Sequence, residues 1–215
     1  MKYKLAIFDL DGTLLDTLED LAASLNFALS RSGYSQRTLE EVRSFVGNGV
    51  RRLVEQGLPK DVSPEIREKA YTDFVCHYKV HSADHTQPYP GIPELLYSLR
   101  QQGMKITVVT NKLHDPAQAL CQRYFPGLID LTVGQSPTLP KKPAPDSTLL
   151  ILSQLGIANE DAVYIGDSDV DIFTAKNANL PCISVTWGFQ SREKLLGAGA
   201  NTLADSVSDL LTLLQ

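Results

Sequence analysis

The apolar positions follow two rhythms. Lys4–Phe8 (KLAIF) is a short continuous apolar run that stops at an acidic turn, and similar runs recur at Lys105–Thr110, Leu128–Val133, Ala162–Ile165 and Cys182–Val185. Continuous runs of this length, bounded by turn residues, predict strands buried on both faces, as in a parallel sheet. Helix patterns lie between the later runs. Ile92–Gln102 follows Pro90-Gly91 and stops at Gly103, Asp115–Tyr124 carries Pro116 in its first turn, and Ser147–Leu155 stops at Gly156. Pro inside the start and Gly past the end are helix boundaries. Ser206–Leu214 predicts a final helix. Strand and helix in alternation define βαβ units and a parallel sheet covered on both faces.

The interval from about Thr17 to Thr86 breaks that alternation. Leu18, Leu21, Ala22, Leu25, Ala28 and Leu29 keep the spacing of one helix face, and Pro64–Lys79 reads as a second long helix. No strand pattern separates them. The expectation is an α/β fold: a Rossmann-like core of parallel sheet flanked by helices, formed by residues 1–15 and 87–215, with an inserted all-helical domain at 16–86.

Composition narrows the function classes. The 215 residues are 43% hydrophobic and 21% charged with a formal net charge of −5, ordinary for a globular chain and far from disorder. The acidic balance argues against a nucleic-acid-coating surface, which needs clustered Lys and Arg. No apolar run approaches the roughly 20 residues of a membrane span. Cys76, Cys121 and Cys182 are scattered and odd in number, so they read as small buried hydrophobes in a reducing compartment. The start lacks a signal-peptide core, and a cytoplasmic location follows as the expectation.

The chemistry concentrates at strand ends. Asp9-Leu10-Asp11-Gly12-Thr13 directly follows the first strand, and ligands of open parallel sheets bind outside the carboxyl ends of their strands. Of two such carboxylates one can act as nucleophile while its neighbour acts as acid and then base. A calcium loop is excluded, because its sixth and twelfth positions would be Leu14 and Asp20 instead of Gly and Glu. Asp167 follows the AVYIG strand and projects from the same sheet edge. Thr110, a short hydroxyl at a strand end, can bind a phosphoryl oxygen, although a Thr there is ordinary when taken alone.

DLDGTLLDT resembles the first motif of the haloacid-dehalogenase superfamily of phosphohydrolases. Three more motifs follow in that family's order: VVTN closing the second strand, KPAP, and GDSDVD. The resemblance covers essentially the whole chain and places the helical insert where the family carries a C1-type cap. It implies in-line attack by Asp9 on a phosphomonoester to form an aspartyl-phosphate, with Asp11 as acid and base. Thr110 and Lys142 complete the catalytic set. Mg²⁺ is the implied cofactor, held by Asp9, Asp11 and Asp167, with Asp171 orienting Lys142 or a metal-bound water. Gly12, Thr110, Asn111 and Lys142 are the implied phosphate contacts.

Phe45-Val46-Gly47-Asn48-Gly49 separates two short helical stretches. Its Gly residues let backbone N–H groups face a small anion, and a plain interhelical turn is an equal reading of the residues alone. Together with VVTNK and WGF, this VGNG loop resembles the phosphoglycolate phosphatase branch. Gly47, Asn48 and Gly49 therefore join the expected substrate contacts, and the expected partner is a small phosphorylated metabolite. An isomerase resembling β-phosphoglucomutase is the alternative, and a non-catalytic binding protein that keeps the fold is a remote one, which would lack a motif residue. The isomerase would need a water-excluding cap with basic residues gripping a second phosphate. Arg51, Arg52 and the stripe His77, His81 and His85 read as solvated surface and stay outside the site.

Overall fold

The computed structural model describes residues 2–215. In chain order the elements are β1 (Leu5–Phe8), β2 (Leu15–Asp16), α1 (Leu18–Arg31), α2 (Leu39–Phe45), α3 (Val50–Gly57), α4 (Pro64–His81) and β3 (Gln87–Pro88). They continue as α5 (Ile92–Gln101), β4 (Lys105–Leu113), α6 (His114–Tyr124), β5 (Leu131–Gln135), α7 (Asp146–Leu155) and β6 (Ala162–Gly166). The chain finishes with α8 (Asp169–Asn177), β7 (Cys182–Val185), α9 (Arg192–Gly197), β8 (Leu203–Ala204) and α10 (Val207–Leu214).

Six strands pair in parallel in the order β5-β4-β1-β6-β7-β8. β1 is central, and its alternation explains why LAIF has no polar face. Ala6 and Phe8 pack into the cluster built by Leu95, Leu96 and Leu99 of α5, Leu120 of α6 and Leu210 of α10. Leu5 and Ile7 pack into the opposite cluster with Ile151 and Leu152 of α7 and Ala175 of α8. The chain adds β4 and β5 on one side of β1 and then crosses back to lay β6 on the other. That reversal is the topological switch point where open α/β sheets bind ligands.

The insert has its own apolar centre. Leu18, Leu21, Leu25 and Leu29 of α1 meet Val42, Leu53, Val54, Phe74 and Tyr78 from the three other helices. The Thr38–Glu41 capping box starts α2. Ser63 caps α4, whose first residue is Pro64. The two strands joining insert to sheet pair antiparallel, Leu15 with Pro88 and Asp16 with Gln87. Buried Asp20 on α1 ties the returning strand down, accepting hydrogen bonds from the His85 and Thr86 amides (both 2.9 Å) and the Thr86 hydroxyl (2.7 Å).

Some expectations shift. The run Leu128–Val133 yields a strand only from Leu131, because the Leu128 amide turns back onto the Phe125 carbonyl (3.0 Å) after α6. β4 does not end at Thr110 but runs irregularly to Leu113, with a register shift between Val109 and Leu113. Cys121 is buried, but Cys76 is exposed on the outside of α4, and all three thiols are free. Among the described residues no helix is long and apolar enough to cross a membrane.

Candidate active site

The parallel register aligns Phe8 with Val108 on one side and Ile165 on the other, so the residues that follow emerge at one edge. The Asp9 amide donates to the Ile165 carbonyl (2.8 Å), which seats the Asp9 side chain between the two neighbouring strand ends. Its Oδ1 accepts from the Leu10 amide (2.7 Å) and lies 3.0 Å from Lys142 Nζ. Asp167, one residue past β6, accepts from the Thr13 hydroxyl (3.0 Å) and the Phe189 amide (2.8 Å). Two glycines make room for it. A Cβ on Gly12, whose φ is 87°, would stand 2.3 Å from Asp167 Oδ2, and one on Gly188 would stand 2.3 Å from Asp167 Cβ. Neither position tolerates a side chain while Asp167 keeps its place.

Asp171 lies in the first turn of α8 and reaches back to Ser168, accepting from its amide (3.1 Å) and hydroxyl (2.6 Å) in the manner of a capping box. Its other oxygen takes Lys142 Nζ at 2.7 Å. Lys142 is thus held between Asp171 and Asp9 with its ammonium buried. Burial works against that charge, but Asp171 and Asp9 outweigh it and hold the lysine well above its usual pKa.

Oxygens of Asp9, Asp167 and Asp171 lie within 4.8 Å of one another. Burial above all, with Asp171 and Asp11 adding and Lys142 opposing, raises Asp9 from 3.8 to about 7. Burial, Asp171 and Asp9 likewise push Asp167 well up. Three buried carboxylates against one ammonium is an excess of negative charge that a divalent cation would neutralise. Hard oxygen donors of this kind suit Mg²⁺, so the residues fit the ion. Asp9 and Asp167 are the better placed to hold it: the Leu10 and Lys142 contacts of Asp9 fall on Oδ1 alone and the partners of Asp167 are neutral, whereas Asp171 takes the Lys142 ammonium and the Ser168 donors.

Several expected contacts fall elsewhere. Asp11 is not in the carboxylate cluster, because both of its oxygens lie on Lys112 Nζ, at 2.9 and 3.1 Å. The Gly12 amide turns inward to the Leu15 carbonyl (2.9 Å) and offers nothing to a phosphate. Asn111 binds backbone at both ends of its amide: it receives the Lys142 amide (2.8 Å) and donates to the Lys142 and Gly47 carbonyls (3.1 and 3.0 Å). It ties the lysine loop and the insert loop to β4. Asn48 is exposed outside the cleft, its carbonyl taken by Lys141 Nζ (3.0 Å). Gly47 and Gly49 do line the cleft, together with Leu21, Val46, Val50 and Leu53 from the insert and Asp9, Asp11, Thr110, Asn111 and Lys112 from the sheet. Thr110 accepts the Lys112 amide (3.2 Å), leaving its hydroxyl proton free to donate.

Arg51 stays outside, stacked on Tyr71 (4.0 Å) and paired with Glu68 (2.8 Å), and Arg52 pairs with Glu55. His77 and His81 stack on each other beyond Phe27, His77 meets Ser24, and His85 faces Glu19. Among the described residues, no metal-capable cluster includes them.

Sequence reasoning passed over Thr13, which orients Asp167, and Lys112, whose buried ammonium joins Asp11 to the Tyr78 hydroxyl of α4. Lys112 stands next to Asn111 in the VVTNK run. A charged residue after an apolar strand reads as the strand's exit, and only the continuation of β4 reveals that it is inside.

A parallel sheet with this carboxylate and lysine constellation at its switch point defines a phosphoryl-type hydrolase fold, and comparison with known proteins agrees. Residues 6–185 match the family of haloacid dehalogenase-like hydrolases, and the chain belongs to that family. It is 36% identical over 187 residues to the phosphoglycolate phosphatase of Aquifex aeolicus, covering 86% of both chains. It is 33% identical to that of Nitrosococcus oceani, covering 99% of this chain and 96% of the relative. A solved structure from Lactobacillus delbrueckii, provisionally assigned as a phosphoglycolate phosphatase, superposes with a TM-score of 0.94 at 36% identity. It covers 100% of this chain and 99% of its own.

Proposed function

We propose that the chain is a Mg²⁺-dependent phosphomonoesterase that works through an aspartyl-phosphate on Asp9, with a small carboxylated ester of the phosphoglycolate kind as substrate. The observation carrying this reading is the meeting of Asp9, Lys142, Thr110 and Asp167 at one sheet edge, with Lys142 Nζ 3.0 Å from the nucleophile. A divalent ion at Asp9 and Asp167 would withdraw charge from the phosphoryl oxygens, so that an anionic nucleophile can approach.

The chain's own residues supply the rest. An Asp9 oxygen attacks phosphorus while the bond to the ester oxygen breaks. Lys142 and the Thr110 hydroxyl hold the phosphoryl oxygens as charge builds on them. Asp11, as the acid, gives its proton to the departing alkoxide. It then takes a proton from the water that attacks the aspartyl-phosphate, which releases phosphate and restores Asp9. Residues 16–86 act as a cap hinged on the β2–β3 pair, closing over the cleft and excluding bulk water.

The relatives named phosphoglycolate phosphatases support the substrate class. So does the lining of the cleft, whose insert side is four aliphatic side chains and two glycines. A second phosphate would meet no cationic side chain from the insert there, which weighs against the mutase. The test is phosphate release with and without Mg²⁺ across 2-phosphoglycolate, hexose phosphates, nucleoside monophosphates and pyrophosphate. Mg²⁺-dependent release strongest with 2-phosphoglycolate is expected. Flat activity removes the substrate, and no release removes the phosphatase.

A further inference from the structure

Lys112 has no part in the steps above, yet it is the one cationic side chain among the described residues lining the cleft. It is 4% exposed, and its ammonium is wholly engaged: both Asp11 oxygens lie within 3.1 Å, and the Tyr78 hydroxyl takes a further contact from the insert. Lys142 is committed to Asp171 and Asp9. Any anionic group on the substrate other than its phosphate therefore has a single side-chain cation to meet, and that cation is occupied by the acid.

As arranged, the pair is a resting state. An ammonium centred on both oxygens of a carboxylate leaves neither oxygen free to give a proton to a leaving group. Asp11 serves the reaction only after Lys112 finds another anion, because a buried ammonium left without a partner is costly.

We propose that Lys112 is the specificity residue of this site. It binds a carboxylate carried on the substrate beside the ester carbon, and by that exchange releases Asp11, which takes up a proton from the substrate's monoprotonated phosphate group or from water and carries it to the ester oxygen. The proposal rests on the phosphatase reading and deepens it: the substrate's own carboxylate switches on the acid. The exchange is non-covalent, one carboxylate replacing another on Nζ. Tyr78 takes part as a positioning residue, since its hydroxyl keeps the ammonium in place from the insert side during the exchange. A substrate lacking the carboxylate binds in the same cleft but leaves Asp11 locked, so the penalty falls on kcat more than on KM.

The experiment compares kcat and KM for 2-phosphoglycolate and its uncharged amide, 2-phosphoglycolamide, with Mg²⁺, in the wild type, Lys112→Met, Lys112→Arg and Tyr78→Phe. The wild type is expected to favour the carboxylate by at least about tenfold, mostly in kcat. In Lys112→Met that ratio falls to near one while the amide is still hydrolysed, Lys112→Arg restores much of it, and Tyr78→Phe lowers it partially. Equal handling of the two esters by the wild type, or a ratio unchanged in Lys112→Met, overturns the proposal while the phosphatase reading stands. No hydrolysis of either ester or of any other monoester overturns both. Should Lys112→Met not fold, the wild-type ratio and its fall in Tyr78→Phe decide, and an unchanged ratio in Tyr78→Phe counts against it.

Discussion

The two walls of the cleft are built from opposite materials. The sheet wall brings Asp9, Asp11, Thr110, Asn111 and Lys112, all fixed by hydrogen bonds or ion pairs at strand ends, with Lys142, Asp167 and Asp171 directly behind. The insert wall brings Leu21, Val46, Val50 and Leu53 with the backbone of Gly47 and Gly49. A charge-dense wall on a rigid sheet preorganises the response to developing charge, which does not depend on what alcohol leaves. An aliphatic wall offers shape and excludes water where it is closed over the cleft. The contrast puts the reacting groups on one wall and the shaping surface on the other, with the Lys112–Tyr78 and Asn111–Gly47 contacts as polar bridges between them.

The comparison breaks first if the sheet wall is not where turnover lives. Asp9→Asn should cut kcat by at least about 10³-fold with no loss of thermal stability. Full activity in this variant would move the chemistry elsewhere. Chelation should abolish phosphate release and Mg²⁺ should restore it, read in the same assay.

The crowded carboxylates also set a pH signature for the chelated protein. Asp9 rises from 3.8 to about 7 on folding, mainly through burial. The folded state therefore binds the proton more tightly, and stability must fall as pH climbs from about 4 to about 7. The melting temperature of metal-free protein should decline across that window. Asp9→Asn should flatten the decline, and Mg²⁺ should stabilise most at its upper end. A rising melting temperature there would contradict the burial argument.

The next effect tests the joint between the walls. Asn111→Ala removes an amide that holds the Lys142 and Gly47 loops together. Leaving those backbone groups without partners should cost about 1–3 kcal/mol of stability. Activity should fall by about 10²-fold through misplacement of Lys142, read as a kcat loss with smaller change in KM. Loss of stability without loss of kcat would mean that the Lys142 loop holds its position unaided.

How much of this was legible in the chain follows from the length and burial of each piece. LAIF and AVYIG announce central strands because both faces are buried, and DLDGT, KPAP and GDSDVD announce the reacting edge. β2, β3 and β8 have two residues each, too few to carry a period, yet β2 and β3 pair where the insert joins the sheet. The burial of Asn111 and Lys112, and the bridging role of Asn111, which the resemblance had put among the phosphate contacts, were hidden for a different reason. Polar side chains inside a strand look like its end, and their burial is tolerable only because Gly47, Asp11 and Tyr78 arrive from distant segments to satisfy them. Pairwise satisfaction across 34 and 101 positions leaves no local trace.

The smallest expected effect sharpens the insert side. Arg51 follows Gly49 by two residues and, by position, invites assignment to an anion at the start of α3. Its guanidinium instead stacks on Tyr71 and pairs with Glu68, with about half of its side chain exposed. An exposed pair of this kind contributes about 0–1 kcal/mol, and the cation–π contact at an exposed site a similar amount. Arg51→Ala should therefore lower stability by no more than about 2 kcal/mol, measured by denaturant unfolding, and leave kcat/KM for 2-phosphoglycolate within about twofold. A rise in KM of tenfold or more would put a cation on the insert wall after all, and the separation of the two walls would fail at that point.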